Sequence, residues 1–117
     1  MRTKPDAVIM RTERPCPPID MATGKAGPKL PLSEWKAWTI KEYHAEIMSA
    51  ARAFLGLGLG PKDSVAIYGF NSPEWLLAEM AAIYAGGVAA GIYPTDTDAQ
   101  VRSVGKKRGG WHRLHVV

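Results

Sequence analysis

The sequence predicts an α/β fold, one βαβ unit preceded by a helix and flanked by disordered or irregular ends, and three observations predict it. Val65-Ala66-Ile67-Tyr68 is an apolar run without polar alternation, as in a strand covered on both faces, and it halts at Gly69-Phe70-Asn71. Ser72-Pro73-Glu74 then reads as a helix start. The hydroxyl caps it, the proline sits where no N–H is needed, and the acid lies near the positive end of the dipole. Gly86-Gly87 ends that helix, and Val88-Ala89-Ala90-Gly91-Ile92-Tyr93 begins a second buried run. Two parallel strands joined by such a helix form a right-handed crossover in a parallel or mostly parallel sheet.

Taken in order, residues 1–33 hold six prolines, Pro5, Pro15, Pro17, Pro18, Pro28 and Pro31, which leave room for one short strand between Lys4 and Arg14 and for no long regular element. The first helix begins near Thr39, where Thr39-Ile40-Lys41-Glu42 has capping-box spacing and Trp38 and Tyr43 are placed for a hydrophobic staple. Its apolar stripe is Ile40, Tyr43, Ile47, Ala51, Phe54 and Leu55, with Lys41, Glu42, Glu46 and Arg52 on the wet side. Gly56-Leu57-Gly58-Leu59-Gly60-Pro61 ends it and turns the chain into the first core strand. In the crossover helix Leu76, Leu77, Met80, Ile83 and Tyr84 recur at helical spacing and form the expected buried stripe. On that reading Leu77→Asp or Ile83→Asp disrupts the unit and Lys41→Ala does not. Pro94 closes the second strand, and Thr97-Asp98-Ala99-Gln100 starts another helix, again with capping-box spacing, expected to abort near Gly105.

Gly69-Phe70-Asn71-Ser72-Pro73-Glu74-Trp75, with Ala85-Gly86-Gly87 and Gly91-Ile92-Tyr93 after it, resembles the N-terminal part of long-chain fatty acyl-CoA synthetases of the bubblegum type, members of the acyl-adenylate-forming superfamily. The match reaches back to Trp38-Thr39 and Tyr43 and forward to about Gln100, a little over half of the chain. The resemblance implies an incomplete N-terminal part of an adenylate-forming domain: an irregular segment at 1–33, a partial AMP-binding domain at 34–100 and a divergent basic tail at 101–117. It also implies the family reaction, ATP-dependent activation of a fatty acid through an acyl-adenylate followed by thioester formation with CoA. ATP, Mg2+ and CoA would then be cofactors of the full-length family and none of this chain. Beyond Gly105 the tail departs from the family pattern, as after an altered exon junction, a frame change or an incomplete gene model. The alternative is a small non-catalytic interaction or regulatory module made from the same fold segment.

Composition bounds both readings. At 117 residues, 46% hydrophobic and 22% charged, the chain suits one small globular domain at most. Its net charge of +4 lies in the tail: residues 1–100 carry ten Lys/Arg against eleven Asp/Glu, and 101–117 carry five and none. A short basic run is usually solvated, so it is read as no nucleic-acid or acidic-lipid contact. No run of about 18 apolar residues exists, hence no expected transmembrane segment, and peripheral membrane association stays compatible. Ala7-Val8-Ile9-Met10 is too short for a signal-peptide core, and Asp6 and Glu13 argue against a transit peptide. The lone Cys16 excludes an internal disulfide. An intracellular place, cytosol or the cytosolic face of a membrane, is expected.

No catalytic, cofactor-binding or metal residue is assigned. Gly56-Leu57-Gly58-Leu59-Gly60 follows a helix and precedes a strand, the reverse of a dinucleotide fingerprint. Gly69-Phe70-Asn71-Ser72 does lie between a strand and a helix start, but Ser72 satisfies that end and Glu74 repels an anion. Thr23-Gly24-Lys25-Ala26-Gly27-Pro28-Lys29 has the composition of the family's ATP loop, yet it precedes the Gly69–Tyr93 region where the family's loop follows it. The family's later adenylate-binding acidic motif, ribose-binding aspartate and C-terminal lysine have no counterparts, so no site residue transfers. Cys16 is read as an inert loop thiol, and His44 as a partly exposed helical histidine without a second titratable group fixed beside it. His112 and His115 with one cysteine make no zinc set, and Trp75 and Tyr84 are core aromatics without a basic groove between them.

Overall fold

The computed structural model describes residues 4–107 and 114–116. The chain divides into two compact units, Met1–Tyr43 and His44–Val117. In the first, β1 (Val8–Thr12) runs antiparallel to β2 (Lys36–Thr39), with Met10 opposite Trp38, Thr12 opposite Lys36 and a bulge between Val8 and Met10. The strand expected between Lys4 and Arg14 is thus present, and its pairing gives it a partner that the proline count did not foretell. Side chains replace regular structure in the connection between the two strands. Glu13 accepts from the Leu30 N–H, the Trp35 indole donates to the Leu30 carbonyl at 3.0 Å, and Arg11 donates to the Leu32 carbonyl at 3.3 Å. At the tip of this connection a single bridge joins Ile19 and Ala26.

The capping box forms as the sequence predicts. The Glu42 N–H donates to the Thr39 hydroxyl at 3.2 Å, while the Glu42 carboxylate accepts from the Thr39 N–H at 2.9 Å, opening α1 (Ile40–Gly56). Trp38 and Tyr43 meet edge to face across it at 6.4 Å between ring centres, the staple expected of that pair. These bonds to Thr39, the backbone N–H first and the hydroxyl second, hold the Glu42 carboxyl below its ordinary value of 4.5. A depressed folded value stabilises the fold above pH 4.5, and that contribution is lost as pH falls through the lowered value. Glu42→Gln keeps an acceptor without a titrating proton. The protection of the amides over Thr39–Glu42 relative to their intrinsic exchange should therefore fall below pH 4.5 in the native chain and stay flat in Glu42→Gln. Parallel acid profiles for the two chains would remove the box as the cause.

In the second unit β3 (Ser64–Tyr68) is central, parallel to β4 (Val88–Ile92) on one side and to β5 (Leu114–Val116) on the other. Ser64 lies opposite Val88 and Tyr68 opposite Ile92, so the two strands of the βαβ unit are parallel and adjacent. Central position explains the unbroken apolar run, since Val65 and Ala66 are fully buried and Ile67 nearly so. The basic tail, expected to be irregular, contributes β5 as a third strand, because Leu114-His115-Val116 supplies β-branched and apolar residues beside an open edge of β3. Both glycine stops close as Schellman motifs: Gly58 at φ 93° sends the following Leu59 N–H to the Phe54 carbonyl at 3.0 Å, and Gly86 at φ 82° sends that of Gly87 to Ala82 at 2.9 Å. Gly87 admits no side chain, for a Cβ there would lie 2.9 Å from the Asp63 carbonyl oxygen. Thr97 and Gln100 cap α3 (Asp98–Lys107), which runs through Gly105 where the sequence suggested an abort, one helical glycine costing only about 1 kcal/mol.

The stripes are narrower than expected, and on the crossover helix they are turned. On α1, Tyr43, Ile47, Ala51 and Phe54 are buried, while Ile40 and Leu55 are exposed. On α2 (Pro73–Tyr84) the buried residues are Pro73, Ala81 and Ala82. Leu76, Ile83 and Tyr84 are exposed, and Leu77 and Met80 are half-buried. The reason lies in the helix itself. Only Glu74 and Glu79 interrupt its apolar surface, so periodicity alone cannot choose the inner face. Close approach to the strands selects small side chains instead, and Ala81 and Ala82 are both fully buried. Ile83→Asp is accordingly no core substitution.

Candidate binding cleft

At the carboxyl end of β3 the chain leaves the sheet through Gly69-Phe70-Asn71 and enters α2, where the Ser72 hydroxyl accepts the Trp75 N–H at 3.1 Å. Behind this turn opens a cleft of about 310 Å3. Ala50 and Phe54 of α1, Ile67 and Tyr68 of β3, Phe70 of the turn, and Trp75, Leu77 and Ala78 of α2 line it, with Ser72 and Glu74 as its polar members. The Trp75 ring reaches across to β4, where a Cβ on Gly91 would sit 3.2 Å from it. Position follows the general rule that ligands of parallel sheets gather beyond the carboxyl ends of the strands. Chemistry is more limited. The walls suit an apolar group, Ser72 is engaged in capping, and Glu74 disfavours an anion. The sequence weighed this turn for an anion and missed the apolar cleft behind it, whose signal was the aromatic set Tyr68, Phe70 and Trp75 around one glycine.

Each of the weighed motifs is engaged in its own local structure. Gly56–Gly60 spends its backbone on the end of α1, and the Gly60 N–H donates to Asp63 at 2.9 Å. In Thr23–Lys29 the preceding Asp20 takes the donors that a phosphate would need: the Thr23 hydroxyl at 2.7 Å and the Ala22 N–H at 2.9 Å. Those two bonds, the hydroxyl's first, hold the Asp20 carboxyl below its ordinary value. A carboxylate seated inside the loop opposes a triphosphate. His44 stands edge to face with Tyr84 at 5.9 Å between ring centres, an aromatic contact and not an acid–base pair. Cys16 is exposed, 3.6 Å from the Glu13 carbonyl. Among the described residues no His, Cys, Asp and Glu cluster could hold a metal ion, and no helix is long and apolar enough to cross a membrane. His112 lies outside the described residues. Among the described residues, none of these stretches fits ATP with its Mg2+, since each has its donors engaged locally.

Comparison with known proteins decides the family. Residues 19–108 match the protein-family model described as AMP-binding enzyme. The chain belongs to the AMP-binding enzyme family. It is 47% identical over 64 residues to the long-chain-fatty-acid–CoA ligase ACSBG2 of Gallus gallus, a match covering 55% of this chain and 8% of that protein. To ACSBG1 of Homo sapiens it is 42% identical over 64 residues, covering 55% and 9%. To the ligase heimdall of Drosophila melanogaster it is 40% identical over 70 residues, covering 60% and 10%. The bubblegum-type resemblance read from Gly69–Trp75 is borne out, and the chain spans about a tenth of the length of these relatives. Among solved structures, apo MatB from Rhodopseudomonas palustris superposes with a TM-score of 0.61 at 22% identity over 65% of this chain and 15% of that one. The Klebsiella oxytoca NpsA N-terminal subdomain gives 0.61 at 19% over 70% and 25%. These two likenesses show the fold.

Proposed function

We propose that this chain is the N-terminal scaffold portion of a long-chain fatty acid–CoA ligase and that alone it carries out no step of the reaction. The observation that carries the reading is the 40–47% identity to three such ligases over 64–70 residues. In a full-length enzyme of this kind a fatty acid, ATP with Mg2+, and CoA would be the partners, the acid being activated as an acyl-adenylate before the thioester forms. The role of the present residues would be to fix a parallel sheet and its crossover helix. Motifs that hold the triphosphate, the adenylate and the catalytic cation would come from elsewhere in such an enzyme.

A graft tests this. The matched segment of human ACSBG1 is replaced by the corresponding residues of this chain, and ATP-dependent palmitoyl-CoA synthesis is measured. Scaffold exchange at 42% identity should leave activity within about tenfold of the parent, since apolar exchanges that preserve volume cost little. A soluble graft without any turnover would refute the reading.

A further inference from the structure

The cleft behind Gly69-Phe70-Asn71 has aromatic walls and a single charge. Tyr68, Phe70 and Trp75 contribute three rings, and of the residues that line it Glu74 alone is charged. Tyr68 is 57% and Phe70 75% exposed, so much of their ring surface can meet a ligand. An anion held at the start of α2 would need the first N–H groups of that helix. Pro73 has none, Trp75 donates its own to the Ser72 hydroxyl at 3.1 Å, and Leu76 donates to the Ser72 carbonyl at 3.3 Å. The remaining one belongs to Glu74, whose own carboxylate repels an anion. A carboxylate and the negative faces of three rings both attract the opposite charge. Volume sets the size of the occupant, since about 310 Å3 admits roughly ten non-hydrogen atoms at about 30 Å3 each.

We propose that the cleft binds a small organic cation, a substituted ammonium whose apolar body lies against Phe54, Ile67 and Leu77 and whose charge lies beside Glu74 and the aromatic rings. The site is separate from the ligase reading, whose carboxylate and triphosphate substrates are anions.

Three probes of matched size and shape test it in the 117-residue chain: phenyltrimethylammonium, the neutral 2-phenylpropan-2-ol and benzenesulfonate. Binding is read from the Trp75 indole N–H signal in proton–nitrogen NMR spectra, assigned with Trp75→Phe. The ammonium should shift that signal saturably and bind about fivefold or more tightly than the alcohol, the gain of a cation–aromatic contact beside a carboxylate, and the sulfonate should give no saturable shift. Glu74→Gln and Phe70→Leu, both at exposed positions, should each weaken the ammonium by about threefold or more and leave the alcohol within about twofold, which also shows that the variants fold. Absence of saturation by the ammonium overturns the proposal. An alcohol that binds as tightly makes the cleft merely apolar and overturns it, as do a saturable shift by the sulfonate and an unchanged ammonium affinity in either variant. A Trp75 signal that moves with phosphatidylcholine vesicles and not with the free ammonium assigns the cleft to a lipid headgroup and overturns it as well.

Discussion

Purified 1–117 is expected to form no palmitoyl-CoA and to give a flat calorimetric titration with millimolar ATP. Adenylation needs the triphosphate, the carboxylate and a positive charge held together, and positioning of that kind lowers a barrier only when the groups share one scaffold. Here the three glycine-bearing stretches are otherwise engaged. Gly58 and Gly60 terminate a helix and brace Asp63, Ser72 caps α2, and the Thr23 hydroxyl donates to Asp20. Removing a single preorganised donor from an active site costs about 100- to 1,000-fold, so a chain without a whole phosphate and adenylate site should turn over far below detection. Radiolabelled palmitate gives the rate and calorimetry the binding. ATP-dependent thioester formation by protein free of host synthetase would mean that the groups held necessary are not.

Local signals were legible wherever one residue decides the geometry. Thr39 with Glu42, Ser72 with Pro73, and the glycines at 58 and 86 each satisfy backbone groups at a helix end, and all four ends form as read. The strand runs Val65–Tyr68 and Val88–Ile92 were equally plain because both pack within a parallel sheet, where apolar residues need not alternate. Choices settled by long-range competition were hidden. Nothing local tells that Val8–Thr12 pairs with Lys36–Thr39, or that Leu114–Val116 finds β3 across the chain. The inner face of α2 was hidden for a different reason, since the contest there is between large and small apolar residues, which a hydrophobic pattern does not separate. The cleft followed from the same choice, since it depends on where α2 sets Trp75 and Leu77 against Phe54.

Ala81→Asp should unfold the second unit, whereas Ile83→Asp should leave the isolated chain folded. The two positions are two residues apart on one helix, net charge changes alike, and helix propensity separates the two changes by less than about 0.7 kcal/mol, so burial is the difference that decides. Ala81 has no exposed surface, and an aspartate there must either bury an unpaired charge or take up a proton in an apolar site while overfilling a packed contact. That costs several kcal/mol, comparable to the whole stability expected of a domain this small. Ile83 is 53% exposed, so its aspartate stays hydrated and the cost is that of a surface change, about 0.5 kcal/mol or less. Lys41→Ala, on the exposed side of α1, serves as the neutral reference. Urea titrations followed by far-ultraviolet circular dichroism should give coincident midpoints for Lys41→Ala, Ile83→Asp and the native chain, with no cooperative transition for Ala81→Asp. Equal loss at 81 and 83 would show that the large stripe, and not the alanine face, is the one packed on the sheet.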